Sequence, residues 1–124
     1  MSSHRQILGK KGEEAAEKFL IQKGYQVLQR NYRRYRGEID LIAQDGDCLV
    51  FVEVKSGASD KFGSPIHKVD LRKQRQLGKI AMAYYQEHDL FDKDCRFDII
   101  IVFYSGNQTT IDHIENAFWL ENPT

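Results

Sequence analysis

The segment from residue 38 to residue 55 constrains the fold more than any other. Two strand-like runs, 38–44 and 48–55, flank Asp45-Gly46-Asp47. Asp-Gly between such runs is a hairpin signal, because a type I′ turn needs positive φ at both central positions. With Asp45 and Gly46 as those positions, Asp40 faces Phe51 and Glu38 faces Glu53. Side chains alternate along a strand and cross-strand partners share a face. Glu38, Asp40, Phe51, Glu53 and Lys55 therefore project from one face, and Ile39, Leu41, Val50, Val52 and Val54 from the other. A slip of one residue would destroy this agreement.

The charged face also carries Ile42 and Leu49, so it is expected to be covered. Buried unpaired carboxylates cost several kcal/mol unless compensated. Asp40 and Glu53, as diagonal neighbours with β-carbons roughly 7–8 Å apart, can share a divalent cation bound by oxygens at about 2.0–2.6 Å. A main-chain carbonyl from residues 49–54 can complete the shell. Oxygen-only ligation suits Mg²⁺ or Mn²⁺ better than zinc. Lys55, one pleat beyond Glu53, can orient a water, assist its deprotonation or stabilise a pentavalent oxyanion. These parts suit phosphodiester hydrolysis. The competing reading is a solvated Glu53–Lys55 ion pair.

Around this hairpin the pattern predicts a helix over about 8–23, with Ala15, Ala16, Phe19 and Leu20 at helical spacing and Gly24 as its stop. Glu13 falls on or beside the buried face as a third acid; Glu14 and Glu17 can face water. A strand over 25–32 follows, with Asn31 opening a turn. Residues 56–64 read as a loop, and Ser64-Pro65 as the cap of a helix over about 66–87, with a break near 69–71. Val69, Lys73, Leu77, Ile80 and Tyr84 share one stripe of that helix. Lys73, with Gln74 beside it, either snorkels or points at the acids or a phosphate. The apolar run 95–104 is the expected sheet centre. A turn at 105–107, a strand over 109–115 and a final helical turn over 116–122, with Phe118 and Trp119 packing back, complete the chain. The order predicts one α/β domain over 1–124, a mixed sheet covered by helices.

Composition narrows the classes. The chain has 124 residues and zero formal net charge. No apolar run approaches the ~18 residues needed to span a bilayer, and the start lacks a signal-peptide apolar core. A cytoplasmic protein with no membrane partner is expected. Cys48 and Cys95 lack metal or redox spacing and read as buried reduced thiols. His4, His67, His88 and His113 read as surface residues. Residues 1–36 hold nine Lys/Arg against three Glu, which suits either a basic face for a phosphate backbone or solvated helix faces. Arg33, Arg34 and Arg36, interleaved with Tyr32 and Tyr35, can contact phosphates and stack on bases, or form a solvated turn. Arg96 and Asp98 read as a structural pair. No GxxxxGK[ST] or GxGxxG occurs, which argues against nucleotide binding.

Asp40 followed after twelve residues by Glu53-Val54-Lys55 resembles the PD-(D/E)xK motif of restriction-endonuclease-like nucleases. A Glu-bearing helix, this hairpin and a long helix are similar to archaeal Holliday junction resolvases. "GKKGEEAAEKFL", "RNYRRYRGEIDLIAQDGDCLVFVEVK", "KQRQLGKIA" and "RFDIIIV" look like the YraN-like family of uncharacterised bacterial proteins, over roughly residues 8–120. The resemblance implies a restriction-endonuclease-like α/β/α core and a Mg²⁺- or Mn²⁺-dependent endonuclease acting on DNA, branched or damaged DNA included. It implies catalytic Glu13, Asp40, Glu53 and Lys55, metal ligands Glu13, Asp40 and Glu53, and assistance from Lys73 or Gln74. Ile39 replaces the proline of the motif, which ligates nothing. The neutral chain departs from the usually basic resolvases. A homodimer would suit a four-way junction. The alternatives are a catalytically silent module that binds nucleic acid or protein, and a purely structural interaction protein.

Overall fold

The structure, a computed structural model, describes residues 4–57 and 69–118. Its elements are α1 (His4–Gln22), β1 (Gln26–Arg34), β2 (Gly37–Asp45), β3 (Cys48–Gly57), α2 (Leu71–His88), β4 (Asp94–Ser105) and β5 (Gln108–Phe118). The strands form one sheet in the order β1-β2-β3-β4-β5. All neighbours are antiparallel except β3 and β4, which run parallel. A parallel pair needs a crossover connection, and α2 lies within it. The predicted mixed α/β sheet is observed, but its centre is β3. The 95–104 run lies in β4, one place toward the edge.

The helices cover opposite faces. Ala16 and Leu20 of α1 pack with Leu41, Ala43, Val50 and Val52. Leu77, Ile80 and Tyr84 of α2 pack with Tyr32, Ile42, Phe51 and Ile99. Each such aliphatic side chain contributes about 1.5–3 kcal/mol on burial. Gly24 (φ +97°) ends α1 as expected, and the Tyr25 amide donates back to the Leu20 carbonyl at 2.9 Å, a left-handed helix stop. At the start of α2, Asp70 accepts from the Lys73 amide at 2.9 Å. The Ser64-Pro65 cap and the expected helix start at 66 lie outside the described residues, as do 58–64 of the expected loop; Ser56 and Gly57 belong to β3.

The β2–β3 turn is one residue later than expected. Asp45 pairs with Cys48, so Gly46 and Asp47 are the central residues, with Gly46 at φ +59°. Each partner moves by two: Ile42, not Asp40, faces Phe51. Because the side-chain period is two, the face assignment survives this shift. Glu38 and Ile39 are exceptions. Glu38 does not share the face of Glu53 but turns to the α1 side, beside Glu13. Ile39 changes face as well. It packs with Tyr32 and Phe51 on the α2 face, while Leu41 packs on the α1 face. The cause lies opposite, in β1. Asn31 does not open a turn; it sits within the strand at φ +51°. This residue turns β1 over, so that Arg30 reaches Glu17 of α1 while Tyr32 packs under α2. β2 follows the same inversion at Asp40. The true β1–β2 turn is Tyr35-Arg36 (φ +53° and +60°), closed by Arg34 and Gly37.

Smaller corrections follow from packing. Glu17 is not free in water but bonded to Arg30 at 2.6 Å. Residues 116–118 extend β5 rather than starting a helix; Phe118 stacks on Phe97 with centroids 5.0 Å apart. Trp119 and the rest of the expected helical turn lie outside the described residues. Cys48 is half-buried and Cys95 exposed, both free thiols. The His113 side chain is only 3% exposed and bonds Asp98 at 2.7 Å, so it is no surface residue. Arg96 and Asp98 form the expected pair at 3.0 Å. His4 (its side chain) and His67 lie outside the described residues. No described helix is long and apolar enough to cross a membrane.

Candidate active site

β2 and β3 stop pairing beyond Leu41 and Val52. The next residues on the two strands are Asp40 and Glu53, so the acids stand where the hairpin opens. Asp40 takes up an amide released by that opening: its Oδ2 accepts from the Val54 N–H at 2.8 Å. Asp40 is 9% exposed and Glu53 8%. Glu53 Oε1 lies 3.6 Å from Lys55 Nζ and 4.0 Å from Lys73 Nζ. Its buried Oε2 has no hydrogen-bond partner among the described residues.

Glu13 and Glu38 approach Asp40 from the α1 side. One ligand oxygen from each of Glu13, Glu38 and Asp40 lies within 4.8 Å of the other two. The Asn31 side-chain amide donates to both glutamates, at 2.9 Å to Glu13 Oε1 and 3.0 Å to Glu38 Oε1. The positive φ of Asn31 thus does two things: it inverts the strand and supplies the donor that gathers these acids. Gly12 lets α1 come this close. A β-carbon there would overlap Ser56 Oγ and stand 3.2 Å from Ser56 Cβ.

Electrostatics follow the crowding. Burial, then the charge of Glu53, pushes the Asp40 carboxyl from an ordinary 3.8 up to about 8. Burial also raises Glu53, against the pull of Lys73 and Lys55. Burial acts to raise Glu38 as well, but hydrogen bonds from Arg33, Asp40 and Asn31 outweigh it and hold that carboxyl below the usual range.

The structure sets Glu13 beside Asp40 and Glu38, and Glu53 beside Lys55 and Lys73; among the described residues Glu53 is not in the ligand-spaced group of Glu13, Glu38 and Asp40. Gln74 instead donates to the Val69 carbonyl at 2.9 Å, within its own helix start. Arg33 pairs with Glu38 at 2.7 Å, and Arg34 pairs with Glu87 at 2.7 Å while lying over the Tyr32 ring. Arg33, Arg34, Arg36, Lys73 and Gln76 line a groove of about 690 Å³ that reaches Glu38. An apolar cavity of about 520 Å³, between α2 and β4–β5, holds none of the four acids.

Sequence reasoning left Glu38 without a role and missed Asn31 as its holder. An Asn inside a strand pattern was the available signal, since Asn tolerates the left-handed region better than most residues.

The donor set fits a hard divalent cation. It contains only oxygens, one of them buried and unpartnered, and two of the acids are pushed toward their neutral forms by crowding. Mg²⁺ and Mn²⁺ take such oxygen ligands.

The family model for uncharacterised protein family UPF0102 matches residues 12–102. A UPF0102 protein of Geobacter metallireducens is 43% identical over 120 residues, covering 97% of this chain and 98% of its own. One from Chlorobium chlorochromatii is 46% identical over 120 residues, covering 92% of each chain. Among solved structures, that of SSO0001 overlaps at a TM-score of 0.38 and 18% identity; the overlap spans 94% of this chain and 55% of that one, too loose to bear on function. The chain belongs to family UPF0102, as its YraN-like segments indicated.

Proposed function

We propose that this UPF0102 member is a Mg²⁺- or Mn²⁺-dependent nuclease that hydrolyses phosphodiester bonds, with DNA as its substrate. The observation that carries the reading is the buried Asp40–Glu53 pair at the opening of the hairpin, with a Glu53 oxygen left unpartnered. Structural carboxylates at that depth are normally paired or hydrogen-bonded. The resemblance to the PD-(D/E)xK motif supports the same residues.

Asp40 and Glu53 would hold the cation, with Glu13 reaching Asp40 from α1. A bound cation supplies Lewis acidity, neutralises phosphate charge and lowers the pKa of water. The chain supplies the rest. Lys55, 29% exposed and 3.6 Å from Glu53, has ammonium protons to orient a water or meet a phosphate oxygen. Lys73 stands at the junction of acids and groove and can hold a neighbouring phosphate. Arg33, Arg34 and Arg36 carry positive charge along the groove, as a polyanionic backbone requires. The Val54 amide fixes Asp40, so the carboxylate is positioned before substrate arrives.

The test is cleavage of linear duplex, single-stranded, flap and four-way DNA in Mg²⁺ and in Mn²⁺. The expected result is cleavage of at least one substrate by the wild type and loss of it in Asp40→Asn and Lys55→Ala. No cleavage of any substrate, or undiminished cleavage by both variants, overturns the proposal. Salt-dependent DNA binding without cleavage would instead assign a silent binding module.

A further inference from the structure

We propose that the groove beside the acids binds an unpaired DNA strand, with the exposed Tyr35 ring as the platform on which one of its bases stacks. This deepens the nuclease reading above and rests on it for nucleic acid as the ligand.

Tyr35 is an unfavourable residue for its place. It is 60% exposed in the β1–β2 turn, at φ +53°, with Arg36 beside it at φ +60°. A turn with positive φ at both central positions favours Asn-Gly, and a bulky side chain is an outlier there. Such strain persists only where the surroundings hold it, and it gathers at ligand clamps. Here α2 supplies the backing. A β-carbon at Gly37 would stand 2.7 Å from Gln76 Cδ and 2.9 Å from Ile80 Cδ1, so the turn lies close against the helix. Tyr32, the other tyrosine of the run, is 1% exposed and beyond the reach of a ligand.

The cations around the ring set the charge of the ligand. Arg33 and Arg34 are bound to Glu38 and Glu87. Arg36, Arg72 and Lys79 form no ion pair among the described residues. Lys79 Nζ lies 5.8 Å from the Tyr35 ring centroid. Arg72 lines a recess, with Asp70, that shares Lys73 and Gln76 with the groove. From Lys79 back to Lys73 the helix runs roughly 9 Å, and Lys73 Nζ is 4.0 Å from Glu53. A row of cations therefore leads from the ring to the acids.

A duplex is the poorer fit. Its base faces are stacked on one another and only their edges meet the grooves, so a ring on a turn finds no face to cover. The chain also has zero formal net charge, which offers little to the broad phosphate contact that duplex binding draws on. A stacked base adds affinity without charge. A simpler account is that Lys79 pins the turn through its cation–π contact. That contact leaves most of the ring in solvent, and Asn at the same position would keep the turn with less strain.

The experiment is fluorescence anisotropy of the full chain with a labelled DNA strand, the same strand made abasic, and its duplex, in EDTA at several salt concentrations. The wild type should bind the strand about tenfold more tightly than the abasic strand or the duplex, as one stacked base implies. Tyr35→Asn suits the turn, and circular dichroism confirms that it is folded. It should lose that preference and keep the salt slope. Tyr35→Phe should retain the preference, because the ring face stacks and not the hydroxyl. Arg72→Ala should lower the salt slope for intact and abasic strands alike. Duplex bound as tightly as the strand, equal affinity for intact and abasic strands, undiminished binding by folded Tyr35→Asn, or no binding at all overturns the proposal. Cleavage in Mg²⁺ or Mn²⁺ without this preference would sink the inference and leave the nuclease reading standing. Base-dependent binding of the strand without any cleavage would do the reverse.

Discussion

Asp40→Asn should make the metal-free protein more stable while removing its metal affinity. Asn is close in shape to protonated Asp. Its amide oxygen can still accept from Val54, and its NH₂ can donate to Glu38 as a protonated Asp40 does. The difference lies in titration. The folded-state value of Asp40, about 8, lies above its ordinary 3.8. Its contribution to stability is therefore fully present below pH 3.8 and is lost as the pH rises toward 8. At pH 7 the unfolded chain gains the ionisation and the folded chain largely does not. At about 1.4 kcal/mol per pH unit, the wild type carries a cost on the order of 4 kcal/mol at pH 7 and less than half of that at pH 5. Asn escapes that cost. For a domain of this size, 4 kcal/mol moves Tm by roughly 15 °C. The assay is thermal and urea unfolding of both proteins in EDTA at pH 5 and pH 7. The variant should be the more stable, by a margin that grows with pH. Mn²⁺ should then favour the wild type alone, by about 2.7 kcal/mol at a hundred times its Kd. A variant that is no more stable than wild type at pH 7, or a margin indifferent to pH, would refute the argument.

Lys55→Ala is expected to lower cleavage by about 10²–10⁴-fold while Mn²⁺ binding by calorimetry persists, since the residue removed is no ligand. Arg36→Gly should stabilise the fold by about 1 kcal/mol, because a non-glycine residue at φ +60° carries left-handed strain. The same change should reduce the salt slope of DNA binding by about 1, as loss of one phosphate contact requires; denaturation and binding titrations read the two effects. Asp98→Ala should cost about 1–3 kcal/mol in urea unfolding, because it removes the buried acceptor that Arg96, His113 and the Asn116 amide share, while Arg96 keeps Asp45 and Tyr25. Burial works to raise the Asp98 carboxyl, but bonds from His113, Arg96 and the Asn116 amide hold it below the usual range. Its stabilisation is therefore present above the unfolded value and lost as pH falls through the folded one, so the wild type's advantage over Asp98→Ala should shrink on acidification.

The hairpin was legible because its signals are local. A misplaced turn centre moved every partner by two residues, yet Glu53 and Lys55 stayed on the face assigned to them. Glu13 was legible because helical spacing puts it near the buried stripe. The exposed basic turn was recognisable from composition, but not its positive φ at Tyr35 and Arg36, residues that rarely adopt it. His113 was misread because a lone histidine shows nothing in sequence of the buried Asp98 it bonds. Gln74 was placed with the site on adjacency alone, although neighbours on a helix point in different directions.

What the sequence determined by itself is what depends on period and type: the strands, the two long helices, the Asp40–Glu53–Lys55 spacing and the carboxylate oxygens gathered there. Tertiary structure decided what depends on two segments meeting. Asn31 inverts β1, β2 inverts with it, and Ile39 and Leu41 go to opposite faces. That inversion sets Asp40 between the faces, with Glu13 and Glu38 on one side and Glu53 on the other. No pattern within a strand encodes it, because alternation assumes an unbroken pleat. The left-handed residue breaks that pleat, and only packing against both helices makes the break hold.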